Sequence, residues 1–235
     1  QSDKVMLQQM MDEATVGCYG AALNFGGIMF TLFTALNNSW CPFFFEDMKQ
    51  GNRENLREKA GNFLELFTVL SVGFVLLASE VYRYVYVSRD FWGSTMLIPI
   101  FVSSYYTNFL CTFPVNFEYY HKKTKVVSII TIVSSLINVG LNYLLILRIG
   151  MAGAAVATLI SHSLQLTLHY LYVRFALGGK EYPFPLKMWV GYAAVFAAVA
   201  VASVAADGLW LARWGLGAAV GLWELLRIRK RKVLI

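Results

Sequence analysis

Residues 126–147, VVSIITIVSSLINVGLNYLLIL, and residues 151–173, MAGAAVATLISHSLQLTLHYLYV, each run more than 20 positions without an Asp, Glu, Lys or Arg. A helix needs about 20 apolar residues to cross a hydrocarbon core about 30 Å thick, so each run is long enough to span a membrane. Only Arg148, Ile149 and Gly150 separate them, which leaves room for a tight helical hairpin. Working outward, comparable apolar stretches lie at 16–40, 62–82, 91–113, 186–206 and 208–226. The chain therefore reads as an all-α membrane protein, a bundle of seven transmembrane helices.

The charges agree with that reading. Threading seven spans back and forth puts Lys49, Arg53, Arg57, Lys59, Lys122, Lys123, Lys125, Arg174, Lys180, Lys187 and the tail Arg227–Lys232 (RIRKRK) on one side. Lys4, Arg83, Arg89, Arg148 and Arg213 fall on the other, fifteen basic residues against five. Basic loops stay in the cytoplasm, so the C-terminus is expected there and the N-terminus outside, in a cell membrane. Charged residues make up 14 % of the chain, against about a quarter in soluble domains. The net charge of +6 sits in membrane-edge loops, where anionic lipids account for it without nucleic acid. Cys18, Cys41 and Cys111 show neither a CxxC pair nor a neighbouring His cluster, so neither disulfide framework nor metal site is expected. Nothing calls for a cofactor or for a catalytic residue.

The connections toward the basic side are longer. Phe43–Gly61 suits a short amphipathic surface helix, Glu118–Lys125 a polar loop, and Arg174–Lys187, with Gly178, Gly179, Pro183 and Pro185, a linker. This divides the chain into a lobe at 1–175, a cytoplasmic linker at 176–187 and a terminal two-helix hairpin with a basic tail at 188–235. Aromatics at Trp40, Phe43–Phe45, Tyr82–Tyr86, Trp92, Tyr119–Tyr120, Tyr170–Tyr172, Trp189, Trp210 and Trp214 read as interfacial anchors.

Polar residues inside spans form stripes. Span one carries Asn24, Thr31 and Asn38 seven apart, with Gly20, Gly27 and Thr34 on or near that face. Span four carries Ser128, Thr131, Ser135, Asn138 and Asn142, and span five Thr158, His162, Gln165 and His169. A stripe at helical spacing must turn toward other helices or toward water. Each therefore reads as interhelical glue or as the wall of a hydrated pathway. The two histidines have no acidic partner on their own helix. Glu65, one turn inside the basic face, is a candidate for coupling to protons or sodium. Glu80, Arg213 and Glu224 lie near span ends, where long side chains reach an interface. Pro99 and Pro114 flank Asn108 in span three, and such breaks often border pathways. Gly217–Gly221 and Gly153–Ala157–Ser161 are small-residue contact rows.

SDKVML followed by VGCYGAALNFGG, the AL-x-x-SW-x-PFFF junction at Ala35–Phe45, and NVGLNYLLI leading into GMAGAAVATLISH carry a resemblance. Over residues 1 to about 175 the chain resembles the C-terminal half of lipid-linked oligosaccharide flippases of the multidrug/oligosaccharidyl-lipid/polysaccharide exporter superfamily. The resemblance implies a two-lobed transporter flipping an undecaprenyl-diphosphate-linked sugar to the outer leaflet by alternating access. Its implied partners are that lipid-linked sugar substrate, membrane lipids and an N-terminal lobe outside these residues. The last would hold the basic residues that meet the diphosphate. It also implies that Asn24, Thr31 and Asn38 line the cavity, with Asn108 nearby. A drug or metabolite exporter of the same superfamily, and a membrane enzyme or structural subunit, are the rival expectations.

Overall fold

Gly150 sets the fold's tightest turn. In the computed structural model, which describes residues 2–86, 88–177, 181–205, 208–211, 213–219 and 222, it adopts φ 60° and ψ −141°, a conformation costly for any residue with a Cβ. It joins α5 (Thr124–Ile149) directly to α6 (Met151–Phe175). Three residues on, a Cβ at Gly153 would lie 2.2 Å from the Leu145 carbonyl oxygen. The two helices therefore pack backbone against backbone, and Ala154, Ala155 and Ala157 are wholly buried beside them.

The remaining elements are α1 (Ser2–Met10), α2 (Glu13–Gln50), α3 (Arg53–Val85), α4 (Leu97–Tyr120) and α7 (Leu186–Ala205), with a 3-10 turn at Arg89–Ser94 before α4. No strand occurs among the described residues. α4 is the hub: it packs mainly on α6 and α2, and more lightly on α3, α5 and α7. α7 lies against α3, while α5 leans on α6 and α1. The other flank of α5 exposes Ile129, Ile132, Leu136 and Leu147, as a lipid-facing helix does.

Five helices, α2, α3, α5, α6 and α7, are long and apolar enough to cross a membrane. α4 is not among them, because Tyr, Ser, Thr and Asn dilute its apolar residues. The expected count of seven spans is therefore not reached by the described helices. Residues 210, 211 and 213–219 are helical. The tail Arg227–Lys232, Lys180, Gly178, Gly179, Glu224 and Gly221 lie outside the described residues.

Several boundaries differ from expectation. Residues 43–61 do not form a separate surface helix. α2 runs unbroken through Pro42 to Gln50, ends at Gly51 in the left-handed conformation (φ 73°), and α3 starts within two residues. At 38 residues α2 is about 57 Å long, far more than a hydrocarbon core. Its charged end is tied to α3, where Asp47 accepts from Asn55 Nδ2 at 3.1 Å and from Lys59 Nζ at 2.9 Å. The span expected at 91–113 is displaced to Leu97–Tyr120. Pro99 falls in the first turn of α4, where a missing N–H is harmless, and Pro114 does not end the helix. Glu118, expected in a loop, is thus helical and fully buried.

Other residues expected at interfaces are also inside. Trp40, Phe44, Tyr82 and Trp189 are buried, whereas Phe43 and Tyr119 are exposed as anchors would be. Trp40 stacks on Phe63, with centroids 5.3 Å apart and planes 9° apart. Before α7, Tyr182 and Phe184 pack into the core rather than trailing as a linker, and Arg57 Nε donates to the Pro183 carbonyl at 2.7 Å. Arg213 is 3 % exposed, not interfacial. It donates to Glu80 Oε1 at 3.2 Å and to the Leu76 carbonyl at 3.0 Å, so the Glu80 carboxylate is used inside the bundle.

The turns sort to two ends. The Gly51 turn, the His121–Lys123 turn and the segment before α7 meet through the Arg57–Pro183 bond, the Tyr120 hydroxyl donating to the Met48 carbonyl, and the Phe44–Phe184 contact. This is the basic end. At the other, the hairpin end, the Cys18 thiol meets the Asp90 carbonyl and Gly150 approaches Met11.

Candidate functional site: a polar cavity and a buried ion pair

Three polar stripes converge. Asn24, Gly27 and Thr31 of α2, Ser134, Ser135 and Asn138 of α5, and Thr158, Ser161, His162 and Gln165 of α6 line a cavity of about 1040 Å³. Tyr105 of α4 closes one wall and Ser2 and Asp3 of α1 its rim. At 1.5 Å rise per residue, Thr158 through Gln165 lie about 10 to 21 Å from the start of α6. Asn138 lies about 16 Å from the end of α5, and Asn24 and Thr31 about 16 and 27 Å along α2. The cavity therefore lies about 10 to 27 Å from the hairpin end, in the middle of the bundle.

Its lining is polar but carries no Lys or Arg, and Asp3 is its one carboxylate among the described residues. The hydroxyl protons are already committed. Thr31 donates to the Gly27 carbonyl at 3.2 Å, Ser135 to Thr131 at 2.8 Å, Thr158 to Ala154 at 3.1 Å and Ser161 to Ala157 at 2.7 Å. This leaves their lone pairs as acceptors. His162 Nδ1 lies 3.1 Å from the Ser104 carbonyl; a carbonyl only accepts, so Nδ1 carries the proton and the neutral ring keeps Nε2 as an acceptor. Ser134, 3 % exposed, has a hydroxyl with no protein partner. Amide N–H donors come from Asn24, Asn138 and Gln165, the last only loosely held by Thr131 Oγ1 at 3.4 Å. The surface is thus rich in acceptors, with aromatic faces at Tyr105 and Phe30, and suits a ligand bearing many hydroxyls.

The rim has a stated geometry as well. The Tyr19 hydroxyl donates to Asp3 Oδ2 at 2.6 Å, which joins the Asp of SDKVML to the Tyr of VGCYG and fixes α1 on α2. Burial disfavours the Asp3 carboxylate, and the hydrogen bond donated by the Tyr19 hydroxyl offsets this. Asp12 caps α2, accepting from the Thr15 N–H at 2.8 Å and its hydroxyl at 2.9 Å.

Not every residue singled out from sequence reaches the cavity. Asn38 is exposed two turns beyond Thr31, Asn108 is half-buried on α4, and Glu65, on α3, is buried away from it. Asn142 is buried and donates to Asn138 Oδ1 at 3.0 Å, one turn below the wall. His169 is drawn away altogether. Its Nδ1 lies 2.9 and 3.0 Å from the two carboxylate oxygens of Glu118, and neither side chain is exposed at all. No acid lies on the histidines' own helix, but α4 supplies one to His169 from 51 positions away. Asp3 and Tyr105 were not singled out from sequence either. Only the Asp–Tyr motif gave a signal for the first, and a tyrosine in an apolar run gave none for the second.

No protein-family model matches the chain, and no solved structure matches it. Over 141 residues it is 27 % identical to an uncharacterized membrane protein of Haemophilus influenzae, covering 60 % of this chain and 35 % of that protein. The chain thus spans about a third of the length of this relative. With five helices able to cross a bilayer, the chain is a membrane protein.

Proposed function

We propose that this chain forms the cavity-bearing lobe of a two-lobed membrane transporter that flips a lipid-linked sugar to the outer leaflet for surface polysaccharide synthesis. The C-terminus lies in the cytoplasm. The observation that carries this reading is the convergence of three neutral polar stripes on one cavity of about 1040 Å³ at mid-membrane depth. Polar groups in hydrocarbon are rare unless they meet a partner, water or a substrate, and an acceptor-rich wall with aromatic faces complements sugar hydroxyls. With no cation in the described lining, this reading assigns the diphosphate contact to other residues. The motifs shared with the flippase family support the same assignment, with Asn24 and Thr31 as pathway residues.

A second reading, export of a soluble cation, is favoured by Asp3 alone, the carboxylate at the rim.

The test uses the full-length protein without its native cysteines. Cysteines placed at Asn24 and Asn138 should react with membrane-impermeant thiol reagents and be protected by the lipid-linked sugar. Silence at both positions would sink the pathway assignment, and protection by an organic cation but not by the sugar would select the second reading.

A further inference from the structure

Glu118 and His169 form the most deeply enclosed charged pair among the described residues, both at 0 % exposure. Neither is paired with a Lys or Arg among the described residues. The turn beside them brings the Lys123 backbone N–H to the Glu118 carbonyl at 2.9 Å, while the side chains of Lys122, Lys123 and Lys125 point out to the exposed surface. Cys111 of α4 and Tyr182 of the segment before α7 lie within electrostatic reach of Glu118, and Tyr170 of α6 contacts Tyr182. From α2, Cys41 meets Asn116, two residues from the carboxylate. This surrounding is otherwise aromatic: Phe117, Tyr182, Phe184 and Trp189 pack on one another.

A dry pair of this kind is poised by its proton count. With one titratable proton between them, as Glu⁻·HisH⁺ or GluH·His, the pair is neutral and tolerates burial. Losing that proton leaves a buried anion, and gaining a second leaves a buried cation. Either is costly away from water, so each favours an arrangement in which the pair is hydrated. His169 Nε2 is buried without a partner among the described residues, as is the Tyr182 hydroxyl; the first can take up a proton or a water, the second a water. The pair sits one turn from the end of α4, next to the basic turn, and opening there would exchange protons with the bath at that end.

The same two helices also meet at the cavity. His162 and His169 are seven positions apart on α6, and both bind α4, one through the Ser104 carbonyl and the other through Glu118. A change at the lower contact therefore tilts α6 against α4 along a rigid helix and moves His162, Thr158 and Gln165 in the cavity wall.

We propose that Glu118 and His169 are a proton-binding site that couples proton uptake, through the α4–α6 contact, to the opening of the polar cavity. This rests on the reading of that cavity as a transport pathway.

The experiment measures modification of a cysteine at Asn24 in the full-length protein in liposomes, in a background without native cysteines, between about pH 5 and pH 8. Rates are divided by those of a control cysteine at exposed Gln50, which removes the pH dependence of the thiolate. The ratio should change by about fivefold or more, and Glu118→Gln, which keeps an acceptor for Nδ1–H, and His169→Gln should each flatten it. If the singles do not fold, the double variant, with a neutral donor and acceptor, replaces them. A flat ratio in the native pair, or a step retained in any of these variants, overturns the proposal. No labelling at Asn24 at any pH overturns the pathway reading instead.

Discussion

Toward the hairpin end, Asn24, Thr31, Asn138, Thr158 and Gln165 are spread over three helices around open space. Toward the basic end, Glu118 and His169 touch each other beside a layer of aromatic rings, and neither side chain is exposed. Both regions place polar groups at membrane depth, yet they meet the desolvation problem in opposite ways. The cavity keeps mostly neutral groups, and the hydroxyls of Thr31, Ser135, Thr158 and Ser161 are satisfied by their own helix. The basic end keeps an acid and an imidazole whose side-chain contact is with each other. Loss of a side chain should therefore damage function in the first region and folding in the second.

The largest effect is expected from Glu118→Ala, which leaves a buried histidine without its acceptor. Breaking one half of a buried pair costs about 3–5 kcal/mol, read as a fall in the detergent unfolding midpoint, whereas Glu118→Gln should recover most of it. Near-normal stability of the alanine variant would erase the contrast between the two ends. Next comes Gly153→Ala. Its Cβ would meet the Leu145 carbonyl at 2.2 Å, and a backbone cannot step aside as a side chain can, so a loss of about 3 kcal/mol is expected. Gly27→Ala is the control within the cavity, since nothing lies within 4 Å of the added methyl. Its stability should stay within about 0.5 kcal/mol of the parent.

The same contrast explains what sequence could reveal. The cavity was legible because its residues repeat at helical spacing: Asn24 and Thr31 seven apart, Thr158, His162 and Gln165 at steps of four and three. Periodicity on one helix suffices to find such a face, though not where it stops. Asn38 continues the stripe in register, yet it lies two turns beyond Thr31, the last α2 residue lining the cavity. The Glu118–His169 pair was not legible, for two physical reasons. Its partners are 51 positions apart, so no local spacing joins them. And the Pro114 and Tyr119–Tyr120 signals read as a helix end, which put Glu118 in a loop. A proline with enough packing around it did not stop α4. Arg213 and Glu80 were missed likewise, since a charge near a span end looks interfacial until its partner 133 positions away is known. The Gly150 and Gly153 hairpin was legible as a motif, and the structure supplies its cause in one positive φ and one backbone contact.

Smaller effects separate the regions further. Asn24→Ala should leave the unfolding midpoint within about 0.5 kcal/mol of the parent while lowering sugar-lipid translocation in reconstituted full-length protein. A parallel loss of stability would class Asn24 with the glue rather than with the pathway. The smallest change is expected at the rim. Tyr19→Phe removes the hydroxyl that donates to Asp3 but keeps the ring against Phe101, 5.3 Å between centroids, so the core is preserved and about 1 kcal/mol is lost. The loss should be local, appearing as faster hydrogen exchange in α1 and not in α4. If exchange in α1 does not speed up, α1 is held on the bundle by its apolar contacts through Leu7, and the Asp–Tyr motif positions the cavity rim without stabilising it.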